Sequence, residues 1–115
     1  MTAAEQLPSS NPIQKVALDF RAAFEKANGE APTDSFSSYS FDGWLVFAAA
    51  AKRALGSAQP GSAAFRTALR DELYKTKELV GTHGVYNYTQ NDNSGVDERA
   101  RVIVTLEKGQ WKLLG

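Results

Sequence analysis

Eight consecutive apolar residues, Trp44-Leu45-Val46-Phe47-Ala48-Ala49-Ala50-Ala51, constrain this chain more than any other stretch. They sit inside a helix expected from about Tyr39 to Leu55 that is apolar almost all the way round. Charge appears only at its ends, as Asp42 near the start and Lys52 and Arg53 in the last turn, an arrangement that suits the helix dipole. A helix without a polar face has to be buried. The run is far too short to span a bilayer. Three aromatics, Phe36, Tyr39 and Phe41, cluster where the preceding loop becomes the helix. Such a rim is a place for a small molecule to rest. Alternatively these rings simply cap the core, since aromatics are large hydrophobes first.

The remaining segments divide cleanly. Residues 1–10 read as a polar, proline-containing lead-in without periodicity. Asn11-Pro12 opens a first helix, with Asn as N-cap and Pro at the first helical position. Apolar residues follow at Ile13, Val16, Ala17, Phe20, Ala23, Phe24 and Ala27, the spacing of one helical face. Asn28-Gly29 stops it, Gly29 being suited to a left-handed cap. Gly56 to Gly61 breaks the central helix. A third helix is expected over roughly Ser62 to Lys75, with Phe65, Ala68, Leu69 and Leu73 turned inward.

Beyond Gly81 the periodicity changes from helical to two. Val85 to Thr89 suits a strand, and Gln90 to Gly95 is dense in turn-forming residues. Arg101 to Glu107 reads as a second strand. Lys108-Gly109 turns the chain, and Gln110 to Leu114 returns as its hairpin partner. Three helices followed by a three-stranded antiparallel sheet or hairpin make an α+β protein.

At 115 residues the chain is one domain or part of one. Its formal net charge is zero, with Lys and Arg interspersed among Asp and Glu, which argues against a nucleic-acid partner. There is no cysteine, so disulfides, thiolate metal sites and a cysteine nucleophile are excluded. The first residues lack the basic start and apolar core of a signal peptide, so the chain as written is expected to stay in the cytoplasm.

Catalytic chemistry finds little support. His83 is the single histidine and has no metal or catalytic partner at a recognisable spacing, so Gly81-Thr82-His83-Gly84 reads as a tight connector. No Gly-x-Ser-x-Gly elbow and no phosphate-binding loop is present. Asn91 to Gly95 lacks the alternating oxygens of a calcium loop. Asp71 and Glu72 are adjacent on a solvated helix and do not face each other. The expectation is a non-enzyme with no catalytic residue, no cofactor and no metal.

The run Phe36-Ser37-Ser38-Tyr39-Ser40-Phe41-Asp42-Gly43 resembles the Tyr/Phe-x-x-x-(Tyr/Phe)-Asp-Ala segment near the C-terminus of type I periplasmic binding proteins. These are the substrate-binding components of branched-chain amino-acid (leucine/isoleucine/valine-type) ABC transporters, the leucine-binding-protein family. Other blocks are similar in the same order. Phe24-Glu25-Lys26-Ala27-Asn28-Gly29 resembles a Tyr-x-x-x-x-Gly helix end. Val80 to Tyr88 resembles a Gly-x-x-Gly-x-x-x-Phe strand, and Asp92-Asn93-Ser94-Gly95 an Asp-x-x-Gly turn. Lys108-Gly109-Gln110-Trp111-Lys112-Leu113 resembles the closing hairpin. One departure is Asp42-Gly43, where the family has Asp-Ala.

Family members are much longer, with two α/β lobes that close on an amino acid or related small ligand before docking to a membrane permease. The resemblance therefore implies a C-terminal fragment. Residues 11–88 would complete the first lobe and residues 89–115 would form the closing hairpin. Phe36, Tyr39 and Phe41 would be the ligand-binding positions, and the parent protein would be periplasmic. A central helix shaped for a scaffold that the chain does not contain implies a homodimer or a domain-swapped assembly. The alternative is a free-standing small α+β protein-interaction module.

Overall fold

The computed structural model describes residues 3–114; Met1 and Thr2 of the lead-in and the terminal Gly115 lie outside the described residues. Asn11 caps the first helix as its sequence suggests. Its side-chain oxygen accepts from the Ile13 amide at 3.0 Å, and α1 runs over Pro12–Asn28. Gly29 closes it with φ of 82°, donating its amide to the Glu25 carbonyl at 2.8 Å. The side chain of Ser62 caps α3, Ala63–Leu73, by accepting from the Phe65 amide at 3.0 Å.

The central helix α2 spans Phe36–Ala54 and so begins a turn earlier than the sequence suggests. Asp34 is the reason. Its carboxylate accepts the Phe36 amide at 2.8 Å and satisfies one orphan donor of the first turn. Phe36 therefore joins Tyr39 and Phe41 on the helix rather than lying in the loop before it.

The burial of α2 also differs from the expectation. It buries every fourth residue, Ser38, Asp42, Val46, Ala50 and Ala54, along one stripe. The opposite side is open: Trp44 is 60% exposed, Phe47 43% and Leu55 56%. Arg53 near the end of α2 ties the helix to α3, its Nε donating to Glu72 Oε2 and its Nη2 to the Glu72 carbonyl, both at 2.8 Å. Phe41 packs on Phe20 of α1, ring centroids 4.9 Å apart.

The strands form two separate hairpins rather than one three-stranded sheet. β1, Leu79–Val80, pairs antiparallel with β2, Val85–Tyr86, in the register Leu79 to Tyr86 and Val80 to Val85. The strand expected over Val85 to Thr89 ends early because the next amides leave the ladder. Asn87 donates to the Gly95 carbonyl at 2.7 Å and Tyr88 to the Thr76 carbonyl at 3.1 Å. β3, Val104–Glu107, and β4, Gln110–Leu113, form the terminal hairpin with Val104 opposite Leu113 and Glu107 opposite Gln110. Lys108 and Gly109 both have positive φ, 51° and 79°, the geometry of a type I′ turn.

The lead-in is ordered by specific contacts. Ala4–Gln6 forms a 3-10 turn, and Leu7 joins Ile13 and Val85 in the buried core, against which Val80, Val102 and Leu113 pack. The overall shape is elongated, 55 × 33 × 21 Å. Its radius of gyration is 16.5 Å. A compact domain of this length would give about 13 Å.

Candidate ligand-binding site

Asp42 is the hub of the middle of the molecule. It lies two turns into α2 and is 2% exposed. Its Oδ1 accepts the Thr82 amide at 2.7 Å, while Oδ2 accepts the His83 amide at 3.1 Å and the Tyr86 hydroxyl at 2.8 Å. These donors belong to the β1–β2 turn and to β2, so one carboxylate fixes the hairpin on the helix. Gly81 permits the approach: a Cβ there would stand 2.6 Å from Asp42 Oδ2 and 2.7 Å from the Tyr86 ring. Burial alone would push the Asp42 carboxyl up. The bonds from His83, the Thr82 amide and Tyr86 outweigh it and leave the group below the ordinary carboxylate value. Burial, then Asp42 itself, pushes the Tyr86 phenol up.

This anchor orients His83. The imidazole Nδ1 sits 2.8 Å from Thr82 Oγ1, and Nε2 lies 3.4 Å from Ser38 Oγ. The ring stacks on Tyr39, with centroids 3.7 Å apart and planes 13° from parallel. Together they form a flat ledge at the start of α2. Across from it stands the apolar face of the terminal hairpin. Ser35, Tyr39, His83, Val102, Val104 and Trp111 border an open cleft of about 420 Å³, within the range of small-molecule sites.

The structure treats the three sequence-chosen aromatics differently. Tyr39 lines the cleft. Phe36 lies beside it, centroids 6.2 Å apart, and is 77% exposed. Phe41 points to the other side of α2, into the packing against Phe20. His83 and Trp111, which sequence reasoning did not select, do border the cleft. The signal for His83 was available in its flanking glycines, which let the backbone come close to another group. Among the described residues no cluster of His, Asp or Glu could hold a metal ion. No helix among them is long and apolar enough to cross a membrane.

Comparison with solved structures shows where this arrangement recurs. An extracellular ligand-binding receptor from Rhodopseudomonas palustris matches 99% of the chain with a TM-score of 0.88 and 27% identity. Another, from strain HaA2, matches 98% with a TM-score of 0.87 and 30% identity. A further HaA2 receptor matches 97% with a TM-score of 0.87 and 34% identity. The chain has the fold of one part of an extracellular ligand-binding receptor. It spans only about a third of each receptor's length, 31 to 32%. No protein-family model and no curated protein matches it. The matched proteins are described as receptors that bind ligands, which accords with the non-enzymatic expectation.

Proposed function

We propose that this chain is the C-terminal portion of a solute-binding component of a branched-chain amino-acid-type ABC transporter. The observation that carries the reading is the likeness to extracellular ligand-binding receptors over nearly the whole chain. Residues 11–88 complete one lobe and residues 89–115 form the closing hairpin. Ligand capture is noncatalytic: the lobes close over an amino acid or a related small molecule, and the closed receptor docks to a permease. Tyr39, with Phe36 beside it, supplies this chain's wall of the ligand site. Phe41 contributes indirectly by seating α2 on α1. A periplasmic setting for the whole receptor follows from the same reading. In isolation and at high concentration the chain covers its open faces with a second copy, as a homodimer or domain-swapped assembly.

Isothermal titration with leucine, valine and aromatic acids tests the ligand reading. The chain alone should give weak heats or none, because most of the site lies elsewhere. A chimera in which this chain replaces the matched third of the HaA2 receptor should bind saturably. Tight binding by the 115-residue chain alone, or a folded chimera that binds none of these ligands, would overturn it.

A further inference from the structure

The open side of α2 is a second apolar face, opposite the stripe that the chain itself covers. Ser40, Trp44, Phe47, Ala51 and Leu55 recur at helical spacing and include no charged residue. From Trp44 to Leu55 the face runs for about 17 Å along the helix. A helix that presents apolar surface on two opposite sides belongs between two layers. One layer is present: the β1–β2 hairpin bonds to Ser38 and Asp42 of the covered stripe, and α3 is tied to α2 at Arg53. The chain's other elements are already committed, with α1 held at Phe41 and the β3–β4 hairpin held at the lead-in by Gln6.

We infer that the face formed by Trp44, Phe47, Ala51 and Leu55 is the docking surface for the remaining two-thirds of a receptor of the matched kind. The proportion of length is the argument for that occupant. The chain superposes on its relatives over 97 to 99% of itself but spans only 31 to 32% of them, so most of such a receptor lies outside it. Its elongated shape is that of a piece whose neighbours complete the globule. This inference rests on the solute-binding reading and adds the surface through which this part joins the rest.

The chain contains no cysteine, so single cysteines report cover directly. Ala51→Cys places a thiol on the face, and Glu25→Cys places one on the exposed side of α1. In the dilute isolated chain both should react quickly with a maleimide. In the chimera with the HaA2 receptor, labelling of Ala51→Cys should slow by about tenfold or more while Glu25→Cys stays fast. Phe47→Asp should leave the isolated chain's helical circular dichroism unchanged and abolish assembly of the chimera. A folded, ligand-binding chimera in which Ala51→Cys reacts as fast as in the isolated chain would overturn the docking surface and leave the solute-binding reading standing. Adding the receptor's remaining two-thirds as a separate chain should protect Ala51→Cys in a one-to-one complex. Protection arising only from a second copy, undisplaced by that remainder, would also overturn it.

Discussion

The Tyr86 hydroxyl donates to Oδ2 of Asp42 at 2.8 Å, joining the second strand of the small hairpin to the buried stripe of α2. The same carboxylate also collects the Thr82 and His83 amides, so its removal strands three donors together. Asp42→Ala should therefore cost about 3 kcal/mol of stability, the range for breaking a buried, charge-assisted hydrogen-bond set. Asp42→Asn keeps the shape but turns an amide toward donors, and should recover only part of the loss. Urea denaturation followed by circular dichroism measures both. Losses well under 1 kcal/mol would show that the hub contributes little.

Acid should expose the same hub. The folded Asp42 carboxyl titrates below its ordinary value, so between the two values the unfolded chain binds more protons and unfolding gains as pH falls. The contribution is complete above about pH 5, since an unfolded Asp titrates near 3.9, and it is lost as pH drops through the folded value. Glu78, held by Arg99 and then Asn87, titrates at about 2 and adds to the trend in the same direction. Denaturation midpoints should hold level from pH 7 to about 5 and fall below that in the wild type. The slope should be shallower in Asp42→Asn, and an equal slope would refute this origin.

Two glycines make opposite predictions. Gly81 lies where a methyl group would run into Asp42 and Tyr86, and one of them would have to move. Gly81→Ala should destabilise by about 1–3 kcal/mol, the usual cost of overpacking a close contact. Gly43 sits in the interior of α2 with nothing within 4 Å of a built Cβ. Gly43→Ala, which removes a glycine from the helix interior, should stabilise by about 0.5–1 kcal/mol. Thermal melts of the two variants give the signs; a stabilising Gly81→Ala would mean that Asp42 is free to retreat.

These relationships explain which parts of the fold were legible in the sequence. The helix ends at Asn11-Pro12, Asn28-Gly29 and Ser62 were readable because capping is local chemistry. The Lys108-Gly109 turn was readable for the same reason. Where α2 begins was not, because Asp34 accepts its first amide through a side chain that a scan for apolar periodicity ignores. Asp42 looked like a dipole charge near the helix start, yet its partners lie some forty positions away on the 82–83 turn. Only tertiary contact reveals such a role. The break of the expected sheet into two hairpins is of the same kind, since it depends on Asn87 and Tyr88 bonding to Gly95 and Thr76. The apolar character of α2 was plain, but whether this chain covers it was not a property of the helix.

Gln6 makes the last connection, and a lead-in expected to be featureless supplies it. Its Nε2 donates to the Trp111 carbonyl and its Oε1 accepts the Leu113 amide, both at 2.8 Å. A side-chain amide thus occupies the outer edge of β4 as a neighbouring strand would. An isolated two-stranded hairpin is marginal in water, and this one keeps Leu106 and Trp111 largely exposed. The clasp therefore sets where the hairpin stands over the Tyr39–His83 ledge and how wide the cleft opens. Gln6→Ala should raise the hydrogen-exchange rate of the Leu113 amide while leaving amides in the middle of α2 unchanged. Gln6→Glu keeps the acceptor for Leu113 but loses the donor to Trp111, so it should protect Leu113 more than alanine does. Equal exchange in wild type and both variants would mean that the hairpin is positioned by Leu113 packing in the core instead.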